Sequence, residues 1–121
     1  MRVAIITICL IVSCAPCIAS DIEYQTGNGL QSLSQSYKLG VLENKITPQL
    51  NLFHAGVFSG YVNATADLMI MNNLVGRSID SATPKQLGAI VIKYLETHPE
   101  QWNKPSVSIV MAALQEAFPP N

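Results

Sequence analysis

Charge is what this chain most conspicuously lacks. Of its 121 residues 12% are Asp, Glu, Lys or Arg, about half the usual fraction of roughly 25% in soluble proteins. The net charge is −1 and hydrophobic residues make up 49%. Disorder requires the reverse balance, low hydrophobicity with high net charge, and is excluded. Lys and Arg nowhere cluster, so the electrostatic footprint of a nucleic-acid binder is missing. Histidine is scarce: His54 and His98 are the only two imidazoles. With no HExxH and no dense group of His, Asp and Glu, they do not build a metal centre. Nucleophilic catalysis lacks its parts too. No G-x-S-x-G elbow is present, and Asp67 lies thirteen residues from His54 on the same expected helix, pointing to a different side. A catalytic triad needs three convergent groups. No catalytic residue, metal ligand or cofactor site is expected, and the chain is not read as an enzyme.

Cysteine is confined to one end. Cys9, Cys14 and Cys17 all fall in MRVAIITICLIVSCAPCIAS. There a single positive charge at Arg2 precedes an apolar run from Val3 to Val12, then smaller residues. This is the layout of a secretory signal peptide, and the run is too short for a membrane span. Small residues at Cys17 and Ala19 place the expected cleavage after Ala19, giving residues 1–19 as signal and 20–121 as one domain. Leu10-Ile11-Val12-Ser13-Cys14 also resembles a lipobox, which would lipidate Cys14 and tether the chain by acyl groups. Either way the expected location is periplasmic. From residue 20 onward the chain has no cysteine and a net charge of −2, from six basic and eight acidic residues. No disulfide can then brace it, and about 100 residues must fold on their core alone.

What remains reads as helices. Residues 21–29 are polar and glycine-punctuated and are expected to form a loose arm. Leu30, Leu33, Tyr37 and Val41 recur at spacings of three and four, a short amphipathic helix with Gly40 as its terminator. Thr47-Pro48 resembles an N-cap followed by proline in the first helical position. It predicts a long helix to about Leu74. Leu50, Phe53, Val57, Tyr61, Leu68 and Met71 form one stripe of it, and Leu52, Phe58, Val62, Met69 and Ile70 extend the apolar surface round. Such a helix is expected to be the buried central one. Gly56 and Gly60 at i, i+4 would let another backbone approach. After a loop at 75–82, Thr83-Pro84-Lys85-Gln86 combines a capping box with proline at N1. The helix it opens carries Leu87, Ile90, Val91, Tyr94 and Leu95 on one face, and His98-Pro99 stops it. Loop 98–105 follows. The last helix begins after Pro105, with Val107, Val110, Met111, Leu114, Ala117 and Phe118 in register. No strand alternation appears, so the expected fold is all-α, a compact bundle of about four helices.

Three stretches then converge. Gly60-Tyr61 with Asp67 resembles a glycine-tyrosine–aspartate motif. Gln86-Leu87, Val91, Lys93-Tyr94-Leu95 and His98-Pro99-Glu100 form a second block, and Ala113-Leu114 with Ala117-Phe118-Pro119 a third. Over residues 50–120 the chain resembles the Rap/Tai immunity proteins of type VI secretion systems. The resemblance implies a small periplasmic helical protein, often a homodimer. Such a protein binds a peptidoglycan-cleaving amidase effector and plugs its active-site groove with a protruding loop. The chain departs from the family pattern at Pro120, Phe58 and Ala64, where the first two positions commonly hold cysteine and the third glycine. The alternative is a periplasmic helical structural or chaperone-like module without an effector. The family pattern does not name the inhibitory residues. Exposure and residue type nominate Arg77 and Asp80 in one loop and Trp102 and Lys104 in the other as the partner-binding set. A tryptophan in a polar loop either anchors a partner or folds back on the core.

Overall fold

The computed structural model describes residues 24–121. The expected signal peptide, the lipobox and all three cysteines lie outside the described residues. Four helices follow one another: α1 (Gly27–Tyr37), α2 (Leu52–Met71), α3 (Pro84–Thr97) and α4 (Ser106–Ala117). Among the described residues there is no strand, only an isolated antiparallel bridge between Thr26 and Pro105. The all-α bundle expected from the sequence is the observed fold.

α1, α2 and α3 each start where a side chain satisfies an otherwise unpaired backbone N–H, whereas Pro105 leads into α4 without a side-chain cap. Thr26 caps α1, accepting from Gly29 N. Thr83 accepts from Gln86 N while the Gln86 amide oxygen accepts from Thr83 N, the reciprocal box expected there. The start of α2 differs from expectation. Asn51, not Thr47, is its N-cap, accepting from His54 N at 3.1 Å. Thr47-Pro48 instead form a turn in which Thr47 O accepts from Leu50 N, and the Thr47 hydroxyl is buried without a hydrogen-bond partner. Asn51 wins because its own N–H is taken by Ser36 Oγ at 3.2 Å, which fixes the chain's entry into the helix against α1.

Gly40 does not end α1 either. The chain runs through it in a π-helical turn, Lys38–Leu42, and no glycine has a positive φ. Glycine there leaves room for Leu50: a Cβ would stand 2.8 Å from Leu50 Cδ1, and that side chain would have to shift. The loose arm expected over 21–29 is replaced from Gln25 on by backbone held against the start of α4. Ser106 N donates to Gln25 O at 2.9 Å and the Ser106 hydroxyl to Thr26 O at 2.8 Å.

The core is one cluster drawn from all four helices. Phe58, Leu30, Met69, Leu95, Ile109 and Leu114 are its largest enclosed side chains, and the Tyr37 ring meets Phe58 at 5.1 Å. α3 buries Leu87, Val91 and Leu95 as expected. In α4 the buried stripe is Ile109, Val110, Ala113 and Leu114, turned so that Val107 faces out.

The largest departure concerns α2. It buries Ala55, Phe58, Val62, Thr65, Ala66 and Met69 on one side only. Leu52, Phe53, Leu68 and Met71 face outward, 73%, 65%, 60% and 77% exposed. Its apolar composition on all sides therefore does not make it an enclosed helix. Three helices pack on one face, and the opposite face is bare.

Candidate functional site

The two loops nominated by residue type are different objects. The first, after α2, is a 3₁₀ turn over Arg77–Ser81. Its conformation is fixed from beneath and from one end. Ile79 is buried in the core, and Gly76 N donates to Phe118 O at 2.9 Å at the end of α4. Gly76 is needed for that contact, since a Cβ would stand 2.5 Å from Pro119 O. Ala82 N closes the turn on Ile79 O, and the Ser81 hydroxyl donates to Ser78 O.

Residues three apart on a 3₁₀ turn eclipse one another. Arg77 and Asp80 thus leave the turn on the same side, both exposed, while Ile79 points the other way. The described residues contain two ion pairs, Lys38–Glu96 and Lys45–Glu43, and neither Arg77 nor Asp80 takes part. One cation and one anion are thus held by a rigid turn and left to solvent. Beside them Ser78, Ser81, Gln86, Ile90 and Phe118 line an open groove of about 390 Å³. Arg77 and Asp80 do not line the groove themselves; each adjoins in sequence a serine of its wall, Ser78 and Ser81.

The second loop, between α3 and α4, is sewn down. After the short 3₁₀ turn Pro99–Gln101, Trp102 is half-buried against the core and its indole Nε1 donates to Leu95 O at 2.8 Å. The backbone of the same loop receives α1: Gly27 N donates to Lys104 O and Asn28 N to Trp102 O, at 2.9 and 2.8 Å. Of the two readings of Trp102, its side chain takes the inward one. Lys104 remains exposed beside Asn103. The two loops do not form one site. The Arg77 turn is tied to the C-terminal end of α4 and the Trp102 loop runs into its N-terminal end. Twelve helical residues span about 18 Å between them.

Along the groove between α3 and α4 lie further polar groups that residue type alone did not single out. Tyr94 stacks on His98 with ring centroids 4.0 Å apart, and Lys93 and Glu116 line the cavity beside it, about 210 Å³. Burial raises the Tyr94 hydroxyl above the ordinary tyrosine value, with the Glu116 and Glu100 charges adding to it. The only sequence signal was the i, i+4 spacing of Tyr94 and His98, which is indistinguishable from ordinary helix patterning.

No group of three or more His, Cys, Asp or Glu that could hold a metal occurs among the described residues. His54 lies in the first turn of α2 and His98 caps α3, bonded through Nδ1 to Tyr94 O. Asp67 is at a wet edge of α2. No described helix is long and apolar enough to cross a membrane.

The geometry presents a helical scaffold with two tied-down loops that carry exposed charged side chains. No curated protein and no solved structure matches the chain. A model of the Rap1a immunity proteins does, over residues 26–120, from the cap of α1 to the end of the chain. That match takes in every described helix and both loops, and the chain belongs to the Rap1a immunity protein family, whose role is immunity against a secreted effector.

Proposed function

We propose that the protein resides in the periplasm, as a dimer, and silences a type VI-secreted peptidoglycan amidase by inserting a loop into its active-site groove. The observation that carries this reading is the Arg77–Ser81 turn. It holds a cation and an anion on one side, both exposed and in neither ion pair of the described residues, above the buried Ile79. A preformed turn loses little conformational freedom on binding, which favours affinity. Arg77 is placed to pair with a carboxylate or backbone carbonyl of the effector, in the manner of a hot-spot arginine. Asp80 on the same side accepts from donors of the opposite wall. Trp102 supports the site from a distance by holding the second loop, and Lys104 contributes at the rim. Inhibition of this kind needs no catalytic group in the inhibitor.

The test is co-purification of residues 20–121 with the product of the adjacent gene, followed by a cell-wall amidase assay. A tight complex that stops cleavage is the expected result. In that complex Arg77→Ala with Asp80→Ala weakens inhibition more than Trp102→Phe with Lys104→Ala. No complex, with the domain folded, refutes the proposal and leaves a helical module without an effector.

A further inference from the structure

The bare face of α2 has an internal order that its composition alone does not require. At 3.6 residues per turn, one stripe holds the exposed Phe53, Gly56, Gly60, Ala64, Asp67, Leu68 and Met71, with the half-buried Val57 at its margin. This series is symmetric about Val62. Reversing the helix end to end exchanges Phe53 with Met71, Gly56 with Leu68, Val57 with Asp67 and Gly60 with Ala64.

Neither Gly56 nor Gly60 has a reason to be glycine within the monomer. A Cβ at either would meet nothing within 4 Å, and glycine disfavours a helix interior relative to alanine. Small residues at the centre of such a stripe let a second helix come close, with large side chains at its ends closing over the crossing.

We propose that the outer face of α2 is where two copies of this chain pair, with their α2 helices antiparallel about a two-fold axis level with Val62. The proposal rests on the dimeric reading given above and names its surface. An antiparallel crossing seats Leu68 of each copy over Gly56 of the other, sets Gly60 against Ala64, and clamps the ends with Phe53 on Met71. A parallel crossing would face Gly56 with Gly56, leaving a void, and Asp67 with Asp67, opposing like charges.

Extent and charge point to the same occupant. On this stripe Phe53, Leu68 and Met71 are 65%, 60% and 77% exposed, large apolar side chains grouped on one face rather than scattered singly. From Phe53 to Met71 the stripe runs about 27 Å, the breadth of one partner's side in a standard interface of roughly 800 Å². The helix carries no Lys or Arg and one acid, which argues against an anionic lipid surface as the occupant.

Residues 20–121 contain the whole core and no cysteine, so they serve for the test. Sedimentation of the unmodified domain is expected to show a dimer. Gly60→Glu and, separately, Leu68→Lys weaken self-association ~30-fold or more, as loss of a central contact does, with unchanged far-ultraviolet circular dichroism. Mixing single variants Phe53→Cys and Met71→Cys under mild oxidation yields the mixed disulfide. A domain that is monomeric at every attainable concentration overturns the proposal, and so does a dimer untouched by both variants. Cross-links of Phe53→Cys to itself overturn the antiparallel register. If the domain alone is monomeric and Gly60→Glu abolishes an effector complex, the face belongs to the effector and the pairing is wrong. The amidase assay reads separately. A dimer that fails to inhibit leaves the pairing standing and removes the functional reading, whereas a monomeric Gly60→Glu that still inhibits supports both.

Discussion

Gly27→Ala is the substitution whose cost can be worked most directly from the geometry. The added methyl would stand 2.4 Å from Ile109 Cδ1, 2.7 Å from Trp102 Cα and 2.8 Å from Trp102 O. Ile109 could yield by changing rotamer, but the two Trp102 atoms are backbone and can move only with their loop. That loop is held to α1 by the bonds from Gly27 N to Lys104 O and from Asn28 N to Trp102 O. Losing both costs about 2 kcal/mol at about 1 kcal/mol each, and overpacking adds about 1–3 kcal/mol. Alanine's better helix propensity returns up to about 1 kcal/mol. The net is a destabilisation of about 2–4 kcal/mol, a large share of the roughly 5–15 kcal/mol that holds a domain folded. Urea denaturation followed by circular dichroism measures it. Thermal unfolding should fall by at least ~8 °C, at about 4–8 °C per kcal/mol for a domain of this size. A change below about 0.5 kcal/mol would refute the reasoning, because the loop would then have to yield freely. The same variant separates the two loops functionally. It displaces the backbone of Trp102 and Lys104 and leaves the Arg77 turn, at the other end of α4, undisturbed. Inhibition that persists where the variant is still folded assigns the effector contact to the Arg77 turn.

Arg77→Ala and Asp80→Ala are exposed changes and should move stability by no more than about 0.5 kcal/mol while lowering effector affinity. Thermal unfolding beside a binding titration checks this, and a large loss of stability would make the charges structural. Phe58→Ala empties the centre of the core and removes the ring packed on Tyr37, at a cost of about 3–5 kcal/mol. Denaturant unfolding reads that loss, and a cost under 1 kcal/mol would mean Phe58 is not the keystone described. Burial raises the hydroxyls of Tyr37, Tyr61 and Tyr94 above their ordinary value. A raised folded value means the native state keeps its protons longer, so this stabilisation is complete below about pH 10. It declines as pH rises from there through the folded values. Tyrosinate absorbance recorded with stability across alkaline pH tests it, and three phenols titrating at the ordinary value would contradict it.

Much of the architecture was readable because its signals are local. Thr83-Pro84-Lys85-Gln86 carries its cap within four residues, and Pro99 and Pro105 bracket a loop by removing backbone donors. The start of α2 was not local. Thr47 and Asn51 are both good caps, and the choice is made by Ser36, fifteen residues earlier, accepting from Asn51 N. Gly40 misled for a similar reason. A glycine after an apolar stripe resembles a helix stop, yet here it makes room for Leu50. The exposed side of α2 was the hardest to foresee. An apolar helix with a polar face declares its orientation, whereas one apolar all round does not. Only the packing of α1, α3 and α4 shows which side is bare. At the candidate site, residue type found Arg77, Asp80, Trp102 and Lys104 and could not sort them. A tryptophan's single N–H goes wherever a carbonyl is free, and Leu95 O lies seven residues back on α3.

The seam where Thr26 and Pro105 form their bridge, with Ser106 beneath it, joins the two ends of the chain across about eighty positions. A polypeptide made from its N-terminus has the cap of α1 long before it has the groups that receive it. Until residues 102–106 have emerged, the N–H groups of Gly27 and Asn28 lack the carbonyls that receive them, Lys104 O and Trp102 O. The first helix is therefore among the last to be locked, and contacts so distant in sequence slow folding. A nascent chain of this topology cannot seat its first helix against the Trp102 loop until the start of α4 has been made.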